Sequence, residues 1–435
     1  MDFLNNANTP QNLLKKNKKP QPVLLAQGTY GCVYYPGFTC TGKIQKKKYV
    51  TKIQKNNETL QNELEIGDKI KKIKLYENYF APILKQCPVS ISKLQSQYPE
   101  AINQCKVISE ELNPQPQSSQ QQQQQQNGGK NTVKMPPSTP PPPTSEGGFN
   151  INKIKYILGK DLDQTFEEQK LLPDSEYYIP SFLLDTYDYL SKALKKIQKE
   201  NILHYDLKAN NIIYDKESNI PIIIDFGLSI QLDKINPQTP DPEIISKLFF
   251  DTYKYDYWCL DEIFVGVYAA EYYEYFTQSP ESKETYYQKK VSEQISEKYK
   301  ETINNYINYA YVFKPEFLNK LSQVFPHNQT IQTKIQTFTK TFHDKWHKYV
   351  TDYGSYSLLN FFQYTWEARY TWDYYSLAVI YLEFISQLNP LPPILPTSSI
   401  KIPRQLELET LTENLLNQIL ALPNERKALI LNLNK

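Results

Sequence analysis

Two short polar motifs constrain this chain most: the run His204-Tyr205-Asp206-Leu207-Lys208-Ala209-Asn210-Asn211 and, fourteen residues later, Asp225-Phe226-Gly227. The apolar residues that precede the first motif recur at helical spacing and predict a buried helix; they are Leu184, Tyr187, Leu190, Leu194 and Ile197. The residues between the motifs favour two strands, 211–214 and 220–224, joined by a turn at 215–219. The sequence therefore predicts a helix, a polar loop and a hairpin that present the polar side chains of both motifs.

These side chains are the ones that transfer of a phosphoryl group from ATP requires. Charge on the phosphate oxygens must be neutralised by Mg²⁺, a hard cation that prefers carboxylate and carbonyl oxygens. Asp225 and Asn211 offer such oxygens, and Asp206 can accept or orient the proton of an attacking hydroxyl. Lys208 can reach the transferring phosphate. We therefore expect Asp206 and Lys208 to be catalytic residues and Asn211 and Asp225 to be metal ligands, with ATP and Mg²⁺ as cofactors.

The two motifs resemble the catalytic loop H-R-D-L-K-x-x-N and the metal loop D-F-G of eukaryotic-type protein kinases. This resemblance implies an α+β, bilobal protein-kinase fold, with a small antiparallel β lobe that carries one helix and a large helical lobe. Lys208 is similar to the serine/threonine-specific subset, which implies transfer of the γ-phosphate to Ser or Thr of a protein substrate. With its large insertions, the chain looks like divergent kinases of large DNA viruses or protists.

Upstream segments resemble the nucleotide-binding part of the same family. Residues 25–34 (LAQGTYGCVY) fit its G-x-G-x-x-G-x-V hairpin, except that alanine replaces the first glycine. Gly28 and Gly31 lack a Cβ, which would let backbone N–H groups approach phosphate oxygens. Residues 49–53 resemble the V-A-I-K strand and make Lys52 the cation for the α and β phosphates. The residues expected to bind the cofactor here are Ala26, Gln27, Gly28, Thr29, Tyr30, Gly31, Val33, Val50 and Lys52.

Lys52 requires an acidic partner on the next helix, and residues 62–70 (NELEIGDKI) match that helix. Glu63 is favoured as a catalytic residue because two isoleucines then follow it three and seven residues on, along one inward-facing stripe. Glu65 is the competing choice. Gly67 stands where the family has an apolar packing residue, which suggests a looser helix or one held by another element.

Residues 154–162 (IKYILGKDL) resemble the strand and hinge that hydrogen-bond adenine. By this resemblance, Ile157 provides a backbone contact and Asp161 faces the ribose hydroxyls. The aliphatic residues expected against the faces of adenine are Val33, Val50 and Ile213.

The order of the motifs predicts a tail at 1–19, a small nucleotide-binding lobe at 20–158 and a large catalytic lobe at 159–435. The Gln/Pro-rich composition of 112–149 cannot bury a core and predicts a disordered loop. Residues from about 265 to 365 are tyrosine-rich and predict a helical insertion. Each of these segments is either a tolerated insertion or the binding site of a partner.

Two further resemblances lie in the large lobe. Residues 372–383 (WDYYSLAVIYLE) resemble the family helix D-x-W-S-x-G-V and place Asp373 on it. No literal A-P-E occurs in the sequence, so 257–263 (YWCLDEI) would replace it, with Glu262 paired to Arg426.

The family commonly has arginine directly before the catalytic aspartate, and this chain has Tyr205 there. That arginine is the usual cation for a phosphorylated activation segment. We therefore expect that activity does not require phosphorylation of this segment.

Composition and charge limit the partners and the cellular location that we expect for the protein. The net charge of +2 over 435 residues does not suggest nucleic acid or membrane as a partner. The first twenty residues lack the apolar core of a signal peptide, and no run approaches the roughly 20 apolar residues of a membrane span. We expect a soluble, intracellular protein, cytoplasmic rather than nuclear. The five cysteines are scattered without metal-ligand spacing, so reduced thiols are expected.

Three functions remain open at this point. An active serine/threonine protein kinase is favoured because Lys52, Asp206, Asn211 and Asp225 are all present. A kinase-fold scaffold that acts through its insertions would bind ATP without turnover. A small-molecule kinase of related fold would share the catalytic loop but fits the D-F-G motif and Lys208 less well.

Overall fold

The computed structural model describes residues 21–28, 31–45, 48–112, 148–250, 252–278, 293–353, 357–394 and 402–433. The chain forms two compact units: the first comprises 1–67 and 82–156, and the second comprises 68–81 and 157–435. The predicted tail at 1–19, Thr29, Tyr30 and residues 113–147 of the predicted Gln/Pro-rich loop lie outside the described residues.

Five strands form one antiparallel sheet in the first unit: β1 (Val23–Gly28), β2 (Gly31–Tyr35), β3 (Tyr49–Lys55), β4 (Ile83–Val89) and β5 (Phe149–Lys155). Their order across the sheet is β1-β2-β3-β5-β4. Because side chains alternate between the faces of a strand, Lys52 and its partner Val33 lie on one face, and Ile53 and its partner Cys32 lie on the other. The sheet thus separates Lys52 from the apolar cluster on the opposite face.

Helix α1 (Glu58–Ile70) follows the third strand closely. The side-chain oxygen of Asn57 accepts a hydrogen bond from the backbone N–H of Leu60 at 3.0 Å and satisfies one free donor of the first turn. Gly67 is buried, and a Cβ at this position would lie in ordinary van der Waals contact with Pro82 and Ile83, at 3.4 Å or more. The helix is therefore closely packed at Gly67 rather than loose.

Three short helices pack on the face of the sheet opposite Lys52: α2 (Ile91–Gln97), α3 (Pro99–Ile102) and α4 (Lys106–Leu112). They bury Leu94, Ile102 and Ile108 in one cluster with Tyr34 and Ile53 of the strands. The sequence predicted a single helix for the small lobe. These additional helices are each shorter than the 10–12 residues or so over which helical periodicity becomes distinctive.

The expectation of reduced thiols is wrong for four of the five cysteines. Disulfides join Cys32 to Cys105 and Cys40 to Cys87, and Cys259 is free and buried. The bridged residues are 73 and 47 positions apart, so only the packing of the short helices and loops on the sheet brings them together. Bridged and fully buried, Cys32 is not a reactive thiol.

Within its described residues, the second unit has five strands: β6 (Gly159–Asp161), β7 (Ile202–Leu203), β8 (Ile212–Asp215), β9 (Ile220–Ile223) and β10 (Ile230–Gln231). They form a three-stranded sheet in the order β6-β8-β9 and a pair of β7 with β10. Helices α5 (Leu162–Lys170) and α6 (Ser175–Lys199) lie before the polar loop. The longer helix buries Tyr187, Leu190, Leu194 and Ile197, as the apolar spacing predicted.

The remaining helices are α7 (Pro242–Leu248), α8 (Leu260–Gln278), α9 (Glu293–Tyr309), α10 (Pro315–Val324), α11 (Gln329–Tyr353), α12 (Leu358–Trp366), α13 (Trp372–Ile385), α14 (Gln405–Leu420) and α15 (Pro423–Leu433). The region from about 265 to 365 contains α9 to α12 and most of α8. Across the described ranges, no helix is long and apolar enough to cross a membrane.

A buried ion pair joins the last helix to the start of α8, one residue away from the predicted partner. Arg426 Nη2 lies 2.5 and 2.6 Å from the two carboxylate oxygens of Asp261, and both side chains are almost completely buried. The predicted pairing of Arg426 with Glu262 is therefore wrong. Glu262 is buried beside the thiol of Cys259, which lies 3.8 Å from its Oε2. Burial and the charges of Asp373 and Asp261 raise the pKa of Glu262 well above its usual range.

Candidate active site

The carboxylate of Asp206 is the centre of a polar cluster in the second unit. Lys208 Nζ lies 3.0 Å from Oδ1 and 2.9 Å from Oδ2 of Asp206. The amide nitrogen of Asn211 donates to Oδ2 and to the backbone carbonyl of Asp206, both at 2.8 Å. The loop thus brings three of the predicted site residues into direct contact and surrounds the carboxylate with hydrogen-bond donors.

Helix α13 holds the loop in place through the side chain of Asp373. The carboxylate of Asp373 accepts hydrogen bonds from the backbone N–H groups of His204 at 2.8 Å and Tyr205 at 3.1 Å. Tyr205 has a positive φ of 67°, a conformation that a non-glycine residue adopts only when its surroundings hold it there. The buried carboxylate of Asp373 therefore fixes the backbone directly before Asp206.

Asp225 lies next to the same loop. The backbone N–H of Ile224 donates to the carbonyl of Asn211 at 2.9 Å, and Asp225 is exposed with a φ of 58°. The following Phe226 is buried against the rings of His204, at 5.1 Å between centroids, and Phe80, at 6.2 Å. The backbone bond between Ile224 and Asn211 therefore brings the exposed Asp225, the next residue, close to the loop.

The donor set fits the magnesium expected from the sequence. The amide nitrogen of Asn211 is committed to Asp206, so the amide offers its carbonyl oxygen to a cation. With the exposed carboxylate of Asp225, this gives the oxygen ligands that Mg²⁺ prefers.

In the first unit, Lys52 forms an ion pair with Glu63. The Nζ of Lys52 lies 3.3 Å from Oε1 and 3.2 Å from Oε2 of Glu63, and both side chains are largely buried. The side-chain amide of Gln54 also donates to Glu63 at 3.3 Å. Glu65, the competing partner, is exposed. The cation predicted to bind phosphates is thus fixed by a carboxylate on α1.

The protein kinase domain family matches residues 154–347. This segment belongs to the protein kinase family. The match includes Asp206, Asn211 and Asp225 of the kinase domain. The match begins after Lys52 and Glu63. The interpretation of their ion pair therefore depends on its geometry and on the sequence motif alone.

Curated relatives are protein kinases from distant eukaryotes. The chain is 35% identical over 83 residues to the probable serine/threonine-protein kinase fnkB of Dictyostelium discoideum, and 30% identical over 82 residues to the serine/threonine-protein kinase nekl-2 of Caenorhabditis elegans. It is 38% identical over 76 residues to the serine/threonine-protein kinase TOUSLED of Arabidopsis thaliana. These alignments cover 19%, 18% and 18% of this chain, and 14%, 23% and 10% of the relatives. The chain therefore spans less than a quarter of the length of these relatives.

The residues predicted to bind nucleotide in the first unit lie on β1, β2 and β3. Ala26 and Gly28 are exposed, Val33 is half-buried and Val50 is buried. The side chain of Gln27 accepts a hydrogen bond from the backbone of Lys106 at 3.3 Å, which leaves its backbone as the part that can face phosphate. A Cβ on Gly31 would lie 2.3 Å from the carbonyl oxygen of Ile53. Close packing of the two strands therefore requires this glycine, independently of any ligand.

The kinase residues predicted to bind the nucleoside in the second unit lie on or beside its small sheet. Ile157 is buried, and Ile213 is half-buried opposite Asp161 in the pairing of β6 with β8. Asp161 caps α5, because its Oδ1 accepts a hydrogen bond from the backbone of Gln164 at 2.8 Å. Its Oδ2 lies 3.4 Å from the amide nitrogen of Asn210. Asp161 therefore already has a structural role.

The sequence motifs did not identify one residue of the kinase site. Tyr255 donates a hydrogen bond from its hydroxyl to Oδ1 of Asp206. It lies 49 residues after the aspartate, in a segment with four tyrosine or tryptophan residues between 252 and 260. Only the folded chain singles it out.

Proposed function

We propose that the chain is an ATP-dependent serine/threonine protein kinase that transfers the γ-phosphate of ATP to a Ser or Thr hydroxyl of a protein substrate. The observation that carries this proposal is the cluster of Asp206, Lys208 and Asn211, to which the residue before the exposed Asp225 is bonded through its backbone. A general base, a phosphate-binding cation and two oxygen ligands are the groups that phosphoryl transfer uses.

Each residue of the cluster has a distinct role in this proposal. Asp206 accepts or orients the proton of the attacking hydroxyl, and Lys208 neutralises charge on the transferring phosphate. Asn211 holds the carboxylate of Asp206 through its nitrogen, and its carbonyl oxygen and Asp225 would hold Mg²⁺. When bound, Mg²⁺ supplies positive charge to the phosphate oxygens.

Each unit, considered by itself, carries residues to which the proposal gives a role in binding nucleotide. In the first, Lys52 would bind the α and β phosphates and Glu63 holds it in place, while the backbone at Gly28 would approach the phosphates. In the second, Ile157 and Ile213 would contact adenine, and Asp161 the ribose. Their aliphatic character suits the apolar faces of the base.

The test is transfer of labelled phosphate from ATP with Mg²⁺, both to the protein itself and to a generic basic protein. Asp206→Asn should reduce transfer at least about 1,000-fold, because it removes the base. Asp188→Asn is the matched control, since Asp188 is an exposed aspartate of α6 that pairs with Lys192. Lys52→Ala should likewise abolish transfer, whereas Lys55→Ala, on the same strand but paired with Glu111 at the surface, should not.

Other outcomes assign the chain to a different class. Nucleotide binding without transfer by the native chain would favour a scaffold that works through its insertions. Transfer to small-molecule hydroxyls but not to proteins would favour a small-molecule kinase. Equal transfer by the native chain and Asp206→Asn would contradict the role of Asp206.

A further inference from the structure

The carboxylate of Asp206 has four donor contacts. The hydroxyl of Tyr255 and the ammonium of Lys208 contact Oδ1, while the amide of Asn211 and the same ammonium contact Oδ2. An ionised carboxylate has about four acceptor sites, so these contacts saturate it. A substrate hydroxyl can reach the carboxylate only when one of the donors leaves.

Lys208 is the donor best suited to leave. Its side chain is 32% exposed and projects from the loop, and the proposed function gives it the transferring phosphate as an alternative partner. Its departure would free one acceptor site on each oxygen. Tyr255 and Asn211 would remain on opposite oxygens and keep the carboxylate plane from turning about the Cβ–Cγ bond.

Tyr255 is itself held in place by packing. Its ring lies against Trp258, with centroids 4.7 Å apart, and against the edge of Tyr257 at 5.5 Å. The indole N–H of Trp258 donates to the carbonyl of Tyr205 at 2.8 Å, which ties the segment to the catalytic loop. Burial, and then the charge of Asp206, raise the pKa of Tyr255 far above its usual range, so the phenol remains a donor.

The helical insertion fixes the same segment. The hydroxyl of Tyr306, on α9, donates to the carbonyl of Trp258 at 2.8 Å. The backbone N–H of Tyr311, just after α9, donates to Asp256 at 2.9 Å. These bonds hold two residues that closely follow Tyr255 in the chain, Asp256 and Trp258.

We propose that Tyr255 is a positioning residue that holds the carboxylate of Asp206 for catalysis, and that the insertion acts on the catalytic base through it. The proposal rests on the proposed function. It gives the insertion a role in turnover that a tolerated insertion or a distant partner-binding site would not have.

The deciding variant is Tyr255→Phe, which removes the hydroxyl and keeps the ring. We expect kcat to fall roughly tenfold with the KM for ATP unchanged, because a charge-assisted hydrogen bond to the base is lost. Lys208, which also contacts the carboxylate of Asp206, is intact in the variant, so the loss reports on the hydroxyl of Tyr255.

Tyr257→Phe is the matched control. Its hydroxyl donates to Glu383 at 3.1 Å rather than to Asp206, and it lies two residues further along the same segment. We expect its kcat and its KM for ATP to match those of the native protein. An equal loss in both variants would show a structural effect and overturn the proposal, as would a Tyr255→Phe variant that is as fast as the native protein or faster.

Tyr306→Phe tests the contribution of the insertion. We expect a smaller decrease in kcat with the KM for ATP unchanged, and no further decrease when it is combined with Tyr255→Phe, since both act through one contact. Additive losses would contradict the coupling.

A measurement without turnover separates this proposal from the proposed function. The carboxyl ¹³C signal of Asp206, assigned by its disappearance in Asp206→Asn, can be recorded at one fixed pH in protein labelled at aspartate. Its chemical shift should change in Tyr255→Phe, which loses the hydrogen bond to Oδ1, and stay in place in Tyr257→Phe. An unchanged chemical shift in Tyr255→Phe overturns the positioning role even if the chain transfers no phosphate.

Discussion

At the scale of single residues, Tyr205 shows how the chain replaces an arginine. Its ring is buried and stacked on Trp258, with 4.7 Å between centroids and 19° between planes, and its hydroxyl accepts the backbone N–H of Phe250 at 3.1 Å. These contacts tie the segment after the metal loop to the catalytic loop without any phosphate. Ser229, in that segment, is buried and donates to the carbonyl of His204 at 3.0 Å, so it is not an accessible phosphorylation site. Independence from phosphorylation stays a prediction with this physical basis.

Glu383 gives a residue-scale prediction for pH dependence. Burial raises the pKa of this carboxyl to about 8, even though the hydroxyl of Tyr257 donates to it; the charges of Asp256 and Asp163 add to the rise. An unfolded glutamate titrates near about 4.3, so the folded state holds the proton more tightly. The stability that this proton provides is complete below about pH 4.3 and is lost as the pH rises to about 8.

Glu383→Gln should remove this dependence. Relative to the variant, the native protein should lose up to about 1.4 kcal/mol of unfolding free energy per pH unit inside that window, and the difference should level off above it. Urea unfolding of both proteins between about pH 4.3 and pH 8 measures this difference in unfolding free energy. Parallel profiles would show that Glu383 has an ordinary pKa.

At the scale of elements, the local sequence pattern was sufficient to predict the helix and strands around the polar motifs. It was not sufficient to predict the helices that pack on the sheet of the first unit. The helix before the loop and the hairpin after it were predictable because each is specified by neighbouring apolar residues, as in β8 and β9. The three short helices α2 to α4 were not, because each has only one or two buried residues and gains its stability from the strands beneath it. The disulfides were missed for the same reason, because Cys105 comes close to Cys32 only when these helices pack on the sheet.

The disulfides predict a thiol count and a loss of stability. In denaturant without reductant, thiol titration should find one free thiol, that of Cys259, and after reduction all five. Reduction should also lower the melting temperature, because closing loops of 73 and 47 residues contributes up to about 4 kcal/mol for each bridge.

Two double variants assign the effect to each bridge. Cys32→Ser with Cys105→Ser leaves only the bridge of Cys40, and Cys40→Ser with Cys87→Ser leaves only that of Cys32. Each should melt between the native and the reduced protein. Five free thiols before reduction would instead support the reducing, intracellular setting expected from the sequence.

At the scale of the whole molecule, the sequence indicated which regions should meet but not which residues. It placed an acid near 260 against Arg426 across more than 160 positions, and the family pattern favoured Glu262. The structure selects Asp261, whose Oδ2 also accepts the indole N–H of Trp372 at 2.5 Å. Adjacent acids at a helix start point in different directions, and only the packing of distant helices decides which one is paired.

This buried pair predicts a large effect on global stability. Arg426 joins α15 to α8 through Asp261, and its Nε donates to Thr371 at 2.8 Å just before α13. Arg426→Met keeps the bulk of the side chain but leaves Asp261 buried without its cation, which should cost about 3–5 kcal/mol of unfolding free energy. Chemical unfolding monitored by tryptophan fluorescence measures the change.

Arg404→Met is the matched control, because Arg404 forms partly exposed pairs with Asp185 and Glu407. Such surface pairs contribute about 1 kcal/mol or less. Adding Asp261→Asn to Arg426→Met should recover part of the loss, since the uncompensated charge is then removed. A cost for Arg426→Met no greater than that for Arg404→Met would mean that the pair does not hold the last helix to the rest of the second unit.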